Sequence, residues 1–509
     1  MKVLLMFQDQ DFKSNKKFSS NANLLIQDLE LNTIFSAMSR NDEFLNNIVK
    51  QVILTQTVSL KTIFYRQEIV KDCLEYPDVI KEMYQIPIEA LKTKQKQWMG
   101  IYSHHPTGIL SESLQLLNMF LSLLKRLRKI SDKNCSNFKS AGFQRFFTMI
   151  QQEMDDNYIT TVEKILKEIR FNKGILISTE LGKGNEGTNY VLRKENQNND
   201  SWIKKMFDFK GSDSYSYSLD PQDKYGAQAL SELRDRMLNN VANAVAQSAE
   251  HIDNFFKLLQ IELAFYIGCI NLHESLKHLK EPIAFPEPKN IDDIQQSFRG
   301  LYDISLALTM QQKLVSNDIT IGEKSLIMIT GANQGGKSTF LRSIGIAQLM
   351  MQCGMYVPAE TFSANVYNKV FTHYKREEDK TLISGKFDEE LERMSNIIDT
   401  ITPNSLILFN ESFASTNELE GSNIAKEIVN ALLEKNIKIF YVTHLYSLTS
   451  QFYASNNAEA LFLRAVRRPD GTRSYKLIEG KPLETSFGKD LYVSLFKESE
   501  NEITNNSKI

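Results

Sequence analysis

The chain has 509 residues, of which 42% are hydrophobic, and a formal net charge of −2. That is enough for roughly two to four domains with real cores, and it excludes a global basic field, so any DNA contact must come from local basic patches. Cys73, Cys135, Cys269 and Cys353 are scattered without a C-x-x-C pair, which argues against a disulfide scaffold and for reduced thiols. The longest apolar stretches, such as Leu116 to Leu124, are too short to span a bilayer, and no cleavage site follows the apolar Met1 to Phe7, so the chain reads as cytosolic, or cytoplasmic.

Residues 1–24 turn polar after the first few positions and are expected to be loosely ordered. From Leu25 to about Asn172 the pattern is helical. Leu116, Met119, Phe120, Leu123 and Leu124 form one buried stripe, and Pro77, Pro87 and Pro106 punctuate the run. His104-His105 has no Cys or His at ligand spacing and reads as a loop pair. Between residues 174 and 226 the character changes. Ile175 to Leu181 and Tyr190 to Arg193 predict short strands around a turn at Gly182 to Gly187, and Gly211 to Tyr225 is polar and Tyr-rich. Ala227 to Lys280 returns to a long helix with apolar positions Met237, Val241, Ala244, Ile252, Phe256, Leu259 and Leu263. Two long helices flanking an inserted tip read as the limbs of one lever. The reading is thus a multidomain α and α/β protein: a helical core and lever domain over 25–290, a P-loop ATPase domain over 291–496, and a polar tail over 497–509.

The second half carries the chemistry. Leu326 to Thr330 is a short β-branched run, which predicts a buried parallel strand. Gly331-Ala332-Asn333-Gln334-Gly335-Gly336-Lys337-Ser338 follows it and fits G-x-x-x-x-G-K-[ST] in the strand–loop–helix setting that the pattern requires. The glycines let backbone N–H groups turn inward around phosphate oxygens, and the helix from about Lys337 to Met351 aims its positive end at the same anion. Lys337 brings charge to the β- and γ-phosphates of ATP, Ser338 is placed for Mg²⁺, and Thr339 completes the nucleotide-binding run. Ser405 to Glu411 predicts a second strand, ending in Asn410-Glu411. Such ATPases usually have Asp at the first of these positions to hold the Mg²⁺ shell. Asn410 keeps a carbonyl oxygen and lacks the charge, so hard-cation affinity should fall. Glu411 can orient or deprotonate the attacking water. A third strand, Ile437 to Thr443, ends at His444, a candidate γ-phosphate sensor at the mouth of the crevice.

Together these residues resemble the MutS family of DNA mismatch-repair ATPases. The similarity is closest over the ATPase segment: Val315-Ser316-Asn317-Asp318, Ile329-Thr330-Gly331, Gly354 to Ala359, Phe371-Thr372, Ser384-Gly385-Lys386-Phe387, Asn410 to Thr416, Glu420-Gly421, Thr443-His444 and Ser486-Phe487-Gly488. Asp28 to Phe35 and Tyr65 to Val70 look like the start of the family's core and lever domain. The resemblance implies an ABC-type ATPase and a homodimer in which Ser384 reaches the partner subunit's nucleotide. It also implies levers that clamp double-stranded or branched DNA, and partners among repair or recombination proteins. The family's Phe-x-Glu mismatch wedge is not expected here, because core-like sequence begins near Leu25 and the Phe-x-Glu matches, such as Phe285-Pro286-Glu287, lie elsewhere. Branches with a C-terminal nuclease module are not expected either, because the chain ends soon after Gly488. Lys204, Lys205 and Lys210 are candidate DNA contacts or, equally, a solvated basic face. A second reading is an ATP-gated dimeric scaffold with weak hydrolysis and no direct DNA reading, which Asn410 and the near-neutral charge favour. A transporter-type subunit is disfavoured, since no Leu-Ser-Gly-Gly-Gln-like signature precedes the Asn410 strand.

Overall fold

The computed structural model describes residues 1–14, 17–98, 105–171, 174–193, 217–376, 385–455 and 458–484. The tail, Ser384 and the three lysines at 204, 205 and 210 lie outside the described residues. In chain order the helices are α1 (Ala22–Asp28), α2 (Leu31–Ser39), α3 (Glu43–Leu54), α4 (Leu60–Glu75), α5 (Pro77–Trp98), α6 (Pro106–Asn134), α7 (Ala141–Glu153) and α8 (Asp156–Glu168). Strands β1 (Leu176–Leu181) and β2 (Gly187–Arg193) precede α9 (Lys224–Leu279). Then follow β3 (Glu287–Lys289), β4 (Gln296–Leu301), α10 (Ile304–Met310), β5 (Asn317–Gly322), β6 (Leu326–Gly331), α11 (Lys337–Gln352), β7 (Thr361–Asn365) and β8 (Val370–Tyr374). The last are α12 (Lys386–Thr400), β9 (Leu406–Asn410), α13 (Glu418–Glu434), β10 (Lys438–Val442), α14 (Tyr446–Ala454), β11 (Ala460–Arg467) and β12 (Arg473–Glu479).

The chain divides into two compact units, one of residues 1–3, 82–137 and 144–260, the other of residues 4–81, 138–143 and 261–509. This division does not follow the boundary at residue 290 read from the sequence, because α1 to α4 group with the later sheets. In the first unit, Leu116, Phe120, Leu123 and Leu124 of α6 are buried and Met119 is half-buried. Phe120 meets Phe256 of α9 with ring centroids 5.4 Å apart. Asp253 on α9 is buried and takes ion pairs at Oδ2 from Lys94 at 2.8 Å and Lys257 at 2.7 Å, which offsets its charge, while its Oδ1 has no hydrogen-bond partner among the described residues. The buried stripe of α9 starts one residue later than its apolar residues suggest. Leu238, Ala242, Val245 and Ala249 are buried and Ala244 is exposed, since alanine's methyl group gives a weak signal of side. The β insertion forms as expected: β1 and β2 pair antiparallel around a 3₁₀ turn at Lys183–Asn185.

The second unit holds two sheets. One has six strands in the order β12-β11-β6-β10-β9-β8, parallel except where β12 runs antiparallel to β11. The other has four, in the order β3-β7-β4-β5. Every residue of β6 is buried, as are β8 and β10 throughout. Such near-continuous apolar runs suit parallel strands covered on both faces. On one side of the larger sheet Phe409, Phe413, Val429, Leu432, Tyr441 and Phe452 share a cluster. α11 packs on the sheet with Gly345 facing Leu408 and Leu29. At the end of α11, the buried amides of Gln348 and Gln352 bond each other and the carbonyls of Asn365 and Tyr367.

The amino-terminal stretch departs from expectation. Leu5 and Met6 are fully buried and Phe12 nearly so. The buried Glu262 carboxyl accepts from the backbone N–H groups of Leu5 (2.5 Å), Met6 (3.1 Å) and Phe12 (3.0 Å). Arg66 donates to the Met6 carbonyl and stacks on Phe7, and Tyr266 donates to the Leu5 carbonyl. The polar run after Phe7 hides this, because much of the hold is through the main chain to groups distant in sequence. Two helices, α6 and α9, are long and apolar enough to cross a membrane by length and composition, which corrects the reading that no stretch is. Half of that window in α6 and 78% in α9 is buried inside the protein, as in a core helix.

Candidate active site

Three adjacent strands, β6, β10 and β9, deliver their carboxyl ends to one place, where parallel sheets bind ligands. After β6 the chain turns through the glycine loop into α11. Gly331 has φ +112, and a side chain there would meet the backbone of Ala465 at 2.9 Å. Gly336 caps α11 with φ +86. Both positions therefore need glycine. Lys337 is 5% exposed, and its Nζ donates to the carbonyls of Gly331 (3.1 Å) and Ala332 (3.0 Å), closing the loop on itself. Burial lowers the Lys337 ammonium to about 8, with Arg473 adding to the fall and Glu411 opposing it.

Ser338 lies in the first turn of α11, and its Oγ donates to Oδ1 of Asn410 at 2.8 Å. One residue on, Glu411 is half-buried with φ +55. Its Oε1 lies 3.1 Å from Nε2 of His444, and that bond is the first cause holding the Glu411 carboxyl below its usual value. Phe413, two residues later, also has a positive φ, of 61°. Two non-glycine residues in the left-handed region store about 1 kcal/mol or more each, which the surrounding contacts must offset. The main chain is pinned on both sides: Glu411 N donates to the Val442 carbonyl, and Tyr441 Oη donates to the Ser412 carbonyl. Gly421 on α13 lets the helix pass close beneath, since a Cβ there would sit 2.3 Å from the Phe413 carbonyl oxygen.

A cleft of about 690 Å³ opens over these groups, lined by Asn333 to Phe340, Glu411 and His444. The structure thus brings Asn333, Gln334, Gly335, Gly336, Lys337, Ser338, Thr339, Glu411 and His444 to one cavity, with Gly331 and Ala332 beneath Lys337 and Asn410 beneath Ser338. Its lining also includes Tyr302, Val315, Asn317 and Tyr475, none of them anticipated as site residues. Asn317 had a signal in the Val315-Ser316-Asn317-Asp318 run. It accepts from Leu477 N at 2.8 Å and so ties β5 to β12. Tyr475, half-exposed with φ +58, had none.

Residues 58–279 match the family model described as the MutS2 N-terminal domain, and residues 327–507 match MutS domain V. The chain is 27% identical over 283 residues to the DNA mismatch repair protein MutS of Streptococcus pneumoniae strain Hungary19A-6, covering 53% of this chain and 33% of that protein. The figures are the same for the DNA mismatch repair protein HexA of S. pneumoniae serotype 4. The MutS of serotype 19F is 29% identical over 245 residues, 46% of this chain and 29% of its own. The chain therefore matches about a third of the length of these curated relatives. With a helical domain and domain V of one family matched in chain order, the chain belongs to the MutS family.

Proposed function

We propose that this chain is an ATP-dependent DNA-binding protein of the MutS type, in which ATP binding and hydrolysis drive a dimer that clamps DNA in mismatch repair or recombination. The observation that carries the reading is the convergence of the glycine loop, the Ser338–Asn410 pair and the Glu411–His444 pair at three neighbouring strand ends. The cleft volume suits a nucleotide. Loop N–H groups and the start of α11 face the phosphates, and Lys337 exchanges its loop carbonyls for phosphate oxygens. Ser338 Oγ and Asn410 Oδ1 form a pair of hard oxygen donors side by side, so these two residues fit Mg²⁺ and would hold it, directly or through water. When bound, Mg²⁺ neutralises part of the phosphate charge. Glu411, kept below its usual value by His444, stays ionised and accepts from the attacking water, so its part is orientation more than proton abstraction. His444 holds the Glu411 carboxyl in place and lies beside the γ-phosphate position.

The dimer, the contribution of Ser384 to a partner's site, DNA as ligand and a cytoplasmic setting rest on family likeness. One specific observation favours the alternative of an ATP-gated scaffold with weak hydrolysis: Asn410 brings a neutral amide to Ser338. The test is binding of the purified protein to double-stranded and branched DNA across a salt series, with ATP, ADP or neither, alongside turnover and sedimentation. Nucleotide-dependent binding with a steep salt slope supports the first reading. An ATP-tightened dimer that binds no DNA supports the second.

A further inference from the structure

Glu390 is a carboxyl group 2% exposed, in the second turn of α12, and its partners all come from the loop that follows Glu411. Oε2 accepts from the backbone N–H of Phe413 at 2.9 Å, and Oε1 accepts from Ser415 Oγ at 2.9 Å. Its own main-chain carbonyl accepts from Nε2 of His373 at 3.0 Å. The other ring nitrogen of His373, Nδ1, meets Ser412 Oγ at 2.7 Å, and that hydroxyl also donates to the His373 carbonyl. The His373 ring lies on Phe413 with centroids 5.3 Å apart and planes 17° from parallel. His373, Ser412 and Phe413 are all buried. The backbone carbonyl of Glu390 can only accept, so Nε2 of His373 carries a proton, and burial lowers the ring to about 4, so Nδ1 does not at neutral pH. Ser412 then has one proton for two acceptors, the ring nitrogen and the carbonyl.

These contacts meet a stretch of the site whose backbone is strained. Glu411 and Phe413 both have positive φ, and such conformations persist only where neighbours over-determine them. Glu390 holds the loop from the α12 side, His373 from β8, Tyr441 from β10, and Gly421 leaves room from α13. None of these four residues lines the cleft.

We propose that Glu390, seconded by His373, is a positioning residue for hydrolysis: it fixes the main chain at Phe413 and the side chain of Ser415, and through the loop the direction of the Glu411 carboxyl toward water, while leaving nucleotide binding to the glycine loop. This rests on the ATPase reading above. The role is geometric. A carboxyl group accepts at both oxygens, and a glutamine can reproduce both contacts, because its Oε1 accepts from Phe413 N–H while its Nε2 donates to the Ser415 hydroxyl.

The test compares wild type, Glu390→Ala, Glu390→Gln and Ser415→Ala in the full chain. It reads kcat, KM, the affinity for a fluorescent ATP analogue and the thermal midpoint. Glu390→Ala should lower kcat at least about tenfold, as misplacement of a catalytic group does, with analogue affinity close to wild type. Glu390→Gln should recover kcat to within about threefold, since both hydrogen bonds survive. Ser415→Ala removes a half-buried hydroxyl and one of the two bonds, and should lower kcat measurably with the Phe413 contact intact. It keeps the proposal testable if Glu390→Ala does not fold. Wild-type kcat in a folded Glu390→Ala, or in Ser415→Ala, overturns the proposal. So does a Glu390→Gln as slow as Glu390→Ala, which would make charge the operative property, or a parallel loss of affinity and kcat. A wild type that binds no ATP analogue overturns the ATPase reading together with this one, whereas turnover that is indifferent to Glu390 overturns this one alone.

Discussion

Replacing Gly421 by alanine should push the loop after Glu411 out of place from below. The added Cβ would sit 2.3 Å from the Phe413 carbonyl oxygen, against 3.4 Å for ordinary contact, so helix and loop must part by about 1 Å. The obstacle is backbone, which cannot swing aside as the end of a side chain can, and Phe413 is fully buried. Overpacking of this kind costs about 1–3 kcal/mol. Alanine in a helix gains back up to about 1 kcal/mol over glycine, so the net stability loss should be about 1–2 kcal/mol. The effect on turnover is larger. A catalytic group misplaced by about 1 Å can lose ~10²-fold in rate, or close to 3 kcal/mol of barrier. Gly345→Ala supplies the control, because its Cβ would meet Leu408 and Leu29 at the ends of their side chains, at 2.7 Å and 2.8 Å. That variant should lose stability with little change in kcat. Steady-state ATPase and thermal denaturation of both variants decide the matter. If Gly421→Ala turns over within about threefold of wild type while folded, the loop after Glu411 does not set the rate, and the argument from close approach fails.

Lys337→Ala should abolish tight ATP binding, since the loop amides alone leave the β- and γ-phosphates poorly neutralised; equilibrium titration with a fluorescent analogue checks this. Glu411→Gln should bind ATP and trap it, seen as nucleotide retained after rapid gel filtration, because the side chain still accepts a hydrogen bond but no longer holds the water as a carboxylate does. Asn410→Asp puts a negative charge next to Ser338 and should lower the Mg²⁺ concentration for half-maximal turnover by about tenfold; a higher requirement would show the loop to be tuned around the neutral amide. Lys438, 3% exposed on β10, has an Nζ with no hydrogen-bond partner among the described residues, and burial lowers its ammonium to about 7 from an ordinary 10.5. The folded state binds this proton more weakly than the unfolded chain, so the penalty is full below pH 7 and fades as pH rises from about 7 to 10.5. Lys438→Met should therefore raise stability by about 1–3 kcal/mol near pH 7 and less at pH 10, read by chemical denaturation at the two pH values.

Much of the site is written locally. A phosphate-loop pattern needs eight consecutive residues after an apolar strand, and Gly331 to Ser338 supplies them. Its conformation is set by where glycine stands, so the sequence alone placed β6, the loop and α11. The strands ending at Asn410 and His444 were legible for the same reason, because a buried parallel strand is a short apolar run and its last polar residue faces the crevice. The β1–β2 hairpin also followed from its turn residues.

Tertiary structure decided what depends on partners far apart in the chain. Glu390 is one acidic residue among several in α12, and nothing near it in sequence says that it turns inward to Phe413 and Ser415. The amino-terminal segment looks loose because Glu262, which takes its main-chain N–H groups, lies about 250 residues away, and its few apolar side chains, Leu5, Met6 and Phe12, are covered only in the folded chain. Tyr475 and Asn317 reach the cleft only once β12 and β5 lie side by side. In α9 the positions Phe256, Leu259 and Leu263 are buried as read, but the first half of the stripe lies one residue on, at Leu238, Ala242 and Val245, because an alanine-rich stretch marks no face until something packs on it. Local rules fix backbone conformation through sterics and turn chemistry, but which distant group satisfies a buried donor or fills a gap is settled only when the chain closes on itself.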